Sequence, residues 1–447
     1  MAIISRKNIR HKLSRMYEKI VNTKMVKKIQ EKIYNGLRKS EKLAGTDMVY
    51  LAKGASWLTL GHFVSSLGSF LLAVAFANLV PKEIFGTYKF VISIASIILV
   101  FSLGGMTNSL NQAVARGFEG GMKRIKNLRI KFGVIGAILS LLISGYYLLL
   151  KNNIELGTSF ALIAIFIPLL ESFNHYESYL QGKKLFREQI VYNIISRLIS
   201  IGLLITLIFF TNNLYVILLG YFIPWTLTRM FFYFWTLKKF KPNELEDPGS
   251  ISYGKHLSLV GVVGKIGTYL DNILLFHFLG PVQVATYNFA FAPIEQIRAV
   301  YKNIPVLAVP KLANKSLSEI DKVLHSRLIK LLFIGILIAG VYVTCAPFLF
   351  KIFFPEYLNA ILLSQIFSII LIIRLPLSFI SAVTQSQLNI TPKNWLYWRQ
   401  SSHVVQIISM FILIPTIGIM GVVISRILFQ ITTFIINIVQ WKMLLRR

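Results

Sequence analysis

Apolar residues gather along the chain in twelve stretches, at roughly 55–80, 87–110, 128–150, 157–180, 189–211, 213–237, 256–280, 283–308, 328–350, 358–382, 397–415 and 418–441. Each is close to the ~20 residues that an α-helix needs to cross the hydrocarbon core of a bilayer. The connectors between them are short, so no separate soluble domain fits. The pattern predicts an all-α, polytopic membrane protein of about twelve transmembrane helices.

Composition sharpens this picture. The 447 residues carry 48 Lys plus Arg against 18 Asp plus Glu, a net charge of +30, yet 55% of them are hydrophobic. A soluble nucleic-acid binder can be as basic, but it does not carry repeated membrane-length apolar runs. Residues 1–53 hold 14 Lys and Arg and no short apolar core near their start, which argues against a cleavable signal. Between the spans, the odd-numbered connectors carry only Lys82, Lys151 and Lys351, while the other basic residues of the connectors cluster on the opposite side. By the rule that short basic loops stay inside, both termini are expected in the cytoplasm, with the protein multi-pass in the cell membrane.

The two halves resemble each other at an offset of about 200 residues. Leu79-Val80-Pro81 followed by Thr87-Tyr88-Lys89-Phe90 matches Leu279-Gly280-Pro281 followed by Thr286-Tyr287-Asn288-Phe289. Each sits at the hairpin between the first two spans of a six-span half. The organisation expected is a cytoplasmic basic amphipathic segment (1–53), an N-lobe of spans one to six (54–237), a cytoplasmic linker (238–255) and a C-lobe of spans seven to twelve (256–447). Parallel repeats of this kind form two pseudo-symmetric lobes and leave a site between them near the midplane. The linker has the Pro, Gly and charge content of a boundary, as in Lys241-Pro242 and Asp247-Pro248-Gly249.

In the N-terminal segment Ile9, Leu13, Met16, Ile20, Val26, Ile29, Ile33 and Leu37 recur near helical spacing with basic residues between them. Such a helix suits the anionic cytoplasmic leaflet. Docking to a partner is the alternative. Nucleic-acid binding lacks the groove-reading or aromatic motif that would accompany it.

Charges inside spans are costly and are the default functional candidates. Those present are Lys89, Arg197, Arg229, Lys265, Arg298, Arg374 and Arg426, against Glu171, Glu177, Asp271 and Glu295. Arg229, Glu177 and Lys89 stand near span ends and are read as reaching the interface. In span seven, Gly261, Gly264, Lys265, Thr268, Asp271 and Asn272 fall on one arc about 120° wide, opposite an aliphatic face. In span eight, Asn288, Glu295, Arg298 and Lys302 share an arc. Glu295–Arg298 and Lys265–Asp271 are possible neutralising pairs, but seven bases outnumber four acids, so the excess fits an anionic substrate group such as a phosphate or diphosphate. The chain has a single cysteine, Cys345, and its seven histidines show no metal-ligand spacing. With no glycine-rich phosphate loop after a strand and no long outward loop, neither an enzyme nor a bound cofactor is expected. Asn389-Ile390-Thr391 matches a glycosylation acceptor by chance.

Several fragments, taken in order, resemble the polysaccharide-type flippases of the multidrug/oligosaccharidyl-lipid/polysaccharide exporter superfamily, which includes the O-antigen and capsule repeat-unit translocases. They are Lys53-Gly54-Ala55-Ser56, Leu79-Val80-Pro81 with Phe85-Gly86-Thr87-Tyr88, and Leu103-Gly104-Gly105 in the first half. In the second half they are Tyr269-Leu270-Asp271-Asn272, Leu279-Gly280-Pro281, Val309-Pro310-Lys311, Phe354-Pro355-Glu356-Tyr357-Leu358-Asn359-Ala360 and Ile414-Pro415-Thr416-Ile417-Gly418-Ile419-Met420-Gly421. The resemblance implies two lobes rocking around a central cationic cavity, and as cargo a polyprenyl-(di)phosphate-linked oligosaccharide moved to the outer face for surface polysaccharide or glycoconjugate synthesis. Lys265 and Arg298, with Arg197, Arg374 and Arg426, are then the candidate substrate-binding residues of that cavity. Asp271 and Glu295 are candidates for coupling to H⁺ or Na⁺, since the family carries an acidic residue where Asp271 stands. Glycan assembly enzymes are possible partners. A multidrug exporter of the same superfamily is the alternative, although an organic-cation exporter would want an acidic cavity. An integral-membrane glycan polymerase or ligase would need a larger outward loop.

Overall fold

The computed structural model describes residues 48–301, 309, 312, 316–387 and 395–446. The amphipathic segment lies outside them, except for its last residues, which begin the first helix. Lys302, Pro310-Lys311 and Asn389-Ile390-Thr391 also lie outside. The chain divides into two compact units, Met1–Thr59 and Leu60–Arg447, and of the first the described part is the start of that helix.

All regular structure among the described residues is helical. The first half comprises α1 (Met48–Leu79), α2 (Lys82–Ile98), α3 (Met106–Ala115), α4 (Gly121–Gly145), α5 (Ile154–Leu170), α6 (Tyr176–Gly182), α7 (Phe186–Phe210) and α8 (Leu214–Phe240). The second half comprises α9 (Ser250–Leu279), α10 (Pro281–Tyr301), α11 (Leu317–Phe353), α12 (Ile361–Phe367), α13 (Ile369–Ser386), α14 (Trp395–Ile417) and α15 (Ile419–Leu445). Nine of the described helical segments are long and apolar enough to cross a membrane, and Phe63–Leu79 and Ile154–Leu170 are shorter apolar helices. The expected count of about twelve is therefore not reached by that measure. Predicted span eight corresponds to α10, which is interrupted by polar side chains. Predicted spans two, four and ten are broken: α2 ends in a 3-10 turn, Leu99–Ser102, α5 gives way to α6, and α12 to α13.

The sequence supplies the ends of these helices. Asn153 Oδ1 accepts from Leu156 N (2.9 Å) to cap α5, and Asn213 Oδ1 accepts from Tyr215 N (2.9 Å) to cap α8. Ser316 and Glu319 form a capping box at the start of α11. Gly280 (φ 82°) and Gly418 (φ 62°) provide the positive φ that turns α9 into α10 and α14 into α15. Along α11 the exposed Phe333, Leu337, Val341, Phe348 and Ile352 form one stripe at helical spacing, an apolar face whose natural solvent is lipid.

Inside, the halves meet along α2. The repeat-related hairpins pack on each other so closely that a Cβ on Gly86 would lie 1.9 Å from the carbonyl oxygen of Pro281. Phe85 stacks on Phe289 with ring centroids 4.4 Å apart, and Phe90 on Phe276 at 4.0 Å. Deeper, Asn272 Nδ2 donates to Ser93 Oγ (2.9 Å), and Asn288 Nδ2 donates to Asn272 Oδ1 (2.7 Å). At the opposite end, that of the linker, the N–H of Gly105 donates to Ser258 Oγ (3.0 Å), and Ser109 Oγ donates to the Ser250 carbonyl. There the linker lies on the connector between α3 and α4. Gly120 N donates to Leu245 O (2.9 Å), Glu119 N to Asn243 Oδ1 (3.1 Å), and Arg124 pairs with Glu246 (2.6 Å).

Adding a methyl group at Gly86 must push these two backbones apart, an overpacking cost of about 1–3 kcal/mol. Gly86→Ala is expected to lower the melting temperature in detergent. Gly104→Ala, whose Cβ would meet nothing within 4 Å, is the control and should leave it unchanged.

Candidate functional site

The polar side chains of α9 serve both halves. Asn272 faces α2, while Gly264 and Gly267 let α14 approach, so that Cβ atoms there would lie 3.3 and 3.1 Å from the His403 ring. Thr268 and Asp271 turn toward the interior of the second half. The small-residue arc expected from the sequence is thus divided between two packing surfaces.

Within the second half lies a cavity of about 350 Å³, lined by residues of α9, α10, α13, α14 and α15. Arg298, Arg374 and Arg426 line it, together with Glu295, His403 and Gln430. Arg298 donates to Glu295 (2.6 Å), one turn away on α10. Arg426 donates to Asp271, as does the hydroxyl of Tyr287. The second Asp271 oxygen accepts from Asn272 N (2.8 Å). Asp271 is therefore held by Arg426 on α15, and the Lys265–Asp271 pair expected from the sequence does not form. The Arg426 guanidinium also lies 4.5 Å from the ring centroid of Phe291.

Arg374 differs from its neighbours. Its side chain makes no hydrogen bond or ion pair among the described residues. The Nε atoms of Arg298 and Arg426 and Oε1 of Gln430 are buried without a hydrogen-bond partner. Three guanidiniums thus face two carboxylates, leaving one positive charge and several free donors, a set suited to an oxyanion.

The other two candidate substrate-binding residues lie elsewhere. Lys265 is exposed on α9, its ammonium 5.6 Å from the Tyr269 ring centroid. Arg197 lies on α7 in the first half, where its Nε is buried without a partner. The five residues therefore do not share one cavity, and the three arginines that do, Arg298, Arg374 and Arg426, lie in the second half.

The first half has a cluster of its own. Glu171 accepts from Arg229 Nη1 (3.0 Å) and from Arg129 Nη2 (3.3 Å). Glu177 accepts from Asn193 Nδ2 (3.1 Å). Arg229, read from the sequence as reaching the interface, instead turns inward, and Lys89 lies over the Phe85 ring. Arg129 was missed: it stands at the very start of a predicted span, directly after a basic connector, where a charge looks like one that reaches the interface. Among the described residues no group of His, Cys, Asp and Glu has the arrangement to hold a metal ion.

Comparison with known proteins gives the family and the fold. The model of a family described as "Polysaccharide biosynthesis protein" matches residues 51–313, more than half of the chain. The chain belongs to this family. Solved structures named as a flippase and as a transporter share its fold. The uncharacterized membrane protein MJ1068 of Methanocaldococcus jannaschii is 23% identical over 71% of this chain and 69% of its own length. Among solved structures, lipid II flippase MurJ in an inward closed conformation is similar with TM-score 0.64 and 15% identity, covering 86% of this chain and 87% of its own. The eukaryotic MATE transporter AtDTX14 is similar with TM-score 0.56 and 13% identity, covering 89% and 98%. At these identities the likeness is one of fold. The polysaccharide biosynthesis family protein described here is thus a multi-pass membrane protein built on the fold of these transporters.

Because Asp271 is fully buried, removing its guanidinium leaves an uncompensated charge. Arg426→Gln should destabilise the protein by about 3–5 kcal/mol. The double variant Asp271→Asn/Arg426→Gln should lose less than the sum of the two single variants. Thermal unfolding of all three in detergent checks this.

Proposed function

We propose that this protein is a flippase that carries a polyprenyl-(di)phosphate-linked oligosaccharide from the cytoplasmic to the outer face of the cell membrane by alternating access. The observation that carries the reading is the second-half cavity, which Arg298, Arg374 and Arg426 line with Glu295, while the buried Asp271 pairs with Arg426 behind it. A cavity of about 350 Å³ lies near the lower end of the range for small-ligand sites. It accepts an acidic group of the cargo, not a whole oligosaccharide. Lys265 and Arg197, exposed or unpaired nearer the first half, add positive charge along the path. In this reading the linker end faces the cytoplasm with both termini, the basic N-terminal segment rests on the anionic leaflet, and glycan assembly enzymes supply the cargo.

Coupling belongs to the same reading. Asp271 and Glu295 are each held by a guanidinium, so an anionic group that takes Arg426 or Arg298 frees a carboxylate for H⁺ or Na⁺. The rival, an exporter of organic cations, is supported by the fold shared with a MATE transporter, but the surplus of guanidinium groups opposes it.

Arg374 offers the cleanest test because it holds nothing else in place. Arg374→Gln is expected to keep the fold while losing a charge-assisted contact of about 1.5–3 kcal/mol to the cargo, roughly a 10- to 100-fold drop in apparent affinity. Translocation of a polyprenyl-diphosphate oligosaccharide in proteoliposomes measures it. Equal translocation by wild type and variant would remove Arg374 from the site. No translocation by the folded wild type would remove the reading.

A further inference from the structure

A line of polar contacts crosses the first half and ends at the contact between the halves. Arg229 Nη1, on α8, donates to Glu171 (3.0 Å) and to the carbonyl of Leu170 (3.0 Å). Glu171 also accepts from Arg129 Nη2 on α4 (3.3 Å), and Arg129 Nε donates to the carbonyl of Ser102 (2.8 Å). Ser102 closes the 3-10 turn that ends α2. The next residue, Leu103, has φ 52°, and Gly105 then meets α9, its N–H on Ser258 Oγ and its would-be Cβ 2.4 Å from Ser258 N. Only Leu103 and Gly104 stand between the carbonyl that Arg129 grips and the Gly105 contact at the linker end.

The centre of this line is open to a ligand while its far end is not. Glu171 keeps 28% of its side chain exposed, whereas that of Arg129 is 1% exposed. Arg129 Nη1 and Arg229 Nε are buried without an acceptor. Two guanidiniums therefore present more donors than one carboxylate takes up. A phosphate or diphosphate brings more acceptor oxygens to the same place, in the forked geometry that guanidinium favours.

We propose that Arg129, Glu171 and Arg229 form an anion-operated release for the linker-end contact between the halves. A phosphate-type oxyanion arriving beside Glu171 takes donors from Arg229 and Arg129. Arg129 then leaves the Ser102 carbonyl, the turn after α2 relaxes, and Gly105 separates from Ser258. Arg129 acts as a positioning residue, since it reaches the seam only through the Ser102 turn. The identity of the oxyanion as the cargo's diphosphate rests on the flippase reading, while the release itself does not.

The experiment is an electron-spin distance measurement in lipid nanodiscs between labels at Gln112→Cys and Ser252→Cys, both exposed, in a Cys345→Ser background. Two probes are added separately, inorganic diphosphate and a polyprenyl diphosphate placed in the nanodisc lipid. The unliganded protein should show one short distance, and a diphosphate should add a longer population. Action by the lipid probe alone makes a cargo headgroup the source, and action by the inorganic probe makes a free anion sufficient. Glu171→Gln, and independently Arg129→Lys, which is too short to hold both Ser102 and Glu171, should show the longer population without any anion and no further change with it. If either variant fails to fold, the other decides. The proposal is overturned if the folded variants keep the short distance, if neither probe changes the wild type, or if diphosphate lengthens the distance in Glu171→Gln as it does in wild type. Failure of glycolipid translocation with the release intact would count against the flippase reading alone.

Discussion

A charge that leaves water must find its partner inside the protein, and this constraint organises the interior of the bundle. Asp271 takes Arg426, Glu295 takes Arg298, and Glu171 takes both Arg129 and Arg229. Once these are made, Arg374 and Arg197 have no carboxylate of their own. A structural network would stop at neutrality. The surplus guanidinium beside the cavity is the feature on which the proposal of an anionic cargo rests.

Pairing alone does not make a transporter; the two halves must also meet closely and part. They meet where side chains are small or absent: Gly86 against Pro281 at the hairpin end, and Gly105 with Ser258 at the linker end. Backbone contact of this kind gains dispersion energy without burying polar groups unpaired, which is the favoured way for helices to associate in lipid. Between the two contacts the Asn272, Ser93 and Asn288 hydrogen bonds continue the seam in polar form. At the linker end the turn at Ser102 is tied to the first half by the Arg129 guanidinium as well as by its own backbone hydrogen bonds.

Much of the fold could be read from the sequence because hydropathy in a membrane protein reports directly on the solvent of each segment. The apolar runs located the helices, and the repeated hairpins are the segments that pack on each other at Gly86 and Pro281. The breaks were only partly legible: Gly104-Gly105 marks the end of α2, but the hold of Arg129 on the Ser102 carbonyl, from 27 residues onward, does not show in the local sequence. Helical spacing put Gly264, Lys265, Asp271 and Asn272 on one arc, but which neighbour each meets depends on the packing of α2, α14 and α15. The arginines of the cavity were visible one by one as costly charges in spans. Their convergence inside the second half, and the lining by His403 and Gln430, required the tertiary arrangement.

The most direct test of a lipid-linked, anionic cargo is mass spectrometry of polyprenyl-linked glycans in cells with and without this protein, alongside staining of surface polysaccharide. Cells lacking it, with no redundant flippase, should accumulate complete lipid-linked repeat units and lose surface polymer. Unchanged lipid-linked pools with full-length surface polymer would contradict the account and turn attention to efflux of other solutes.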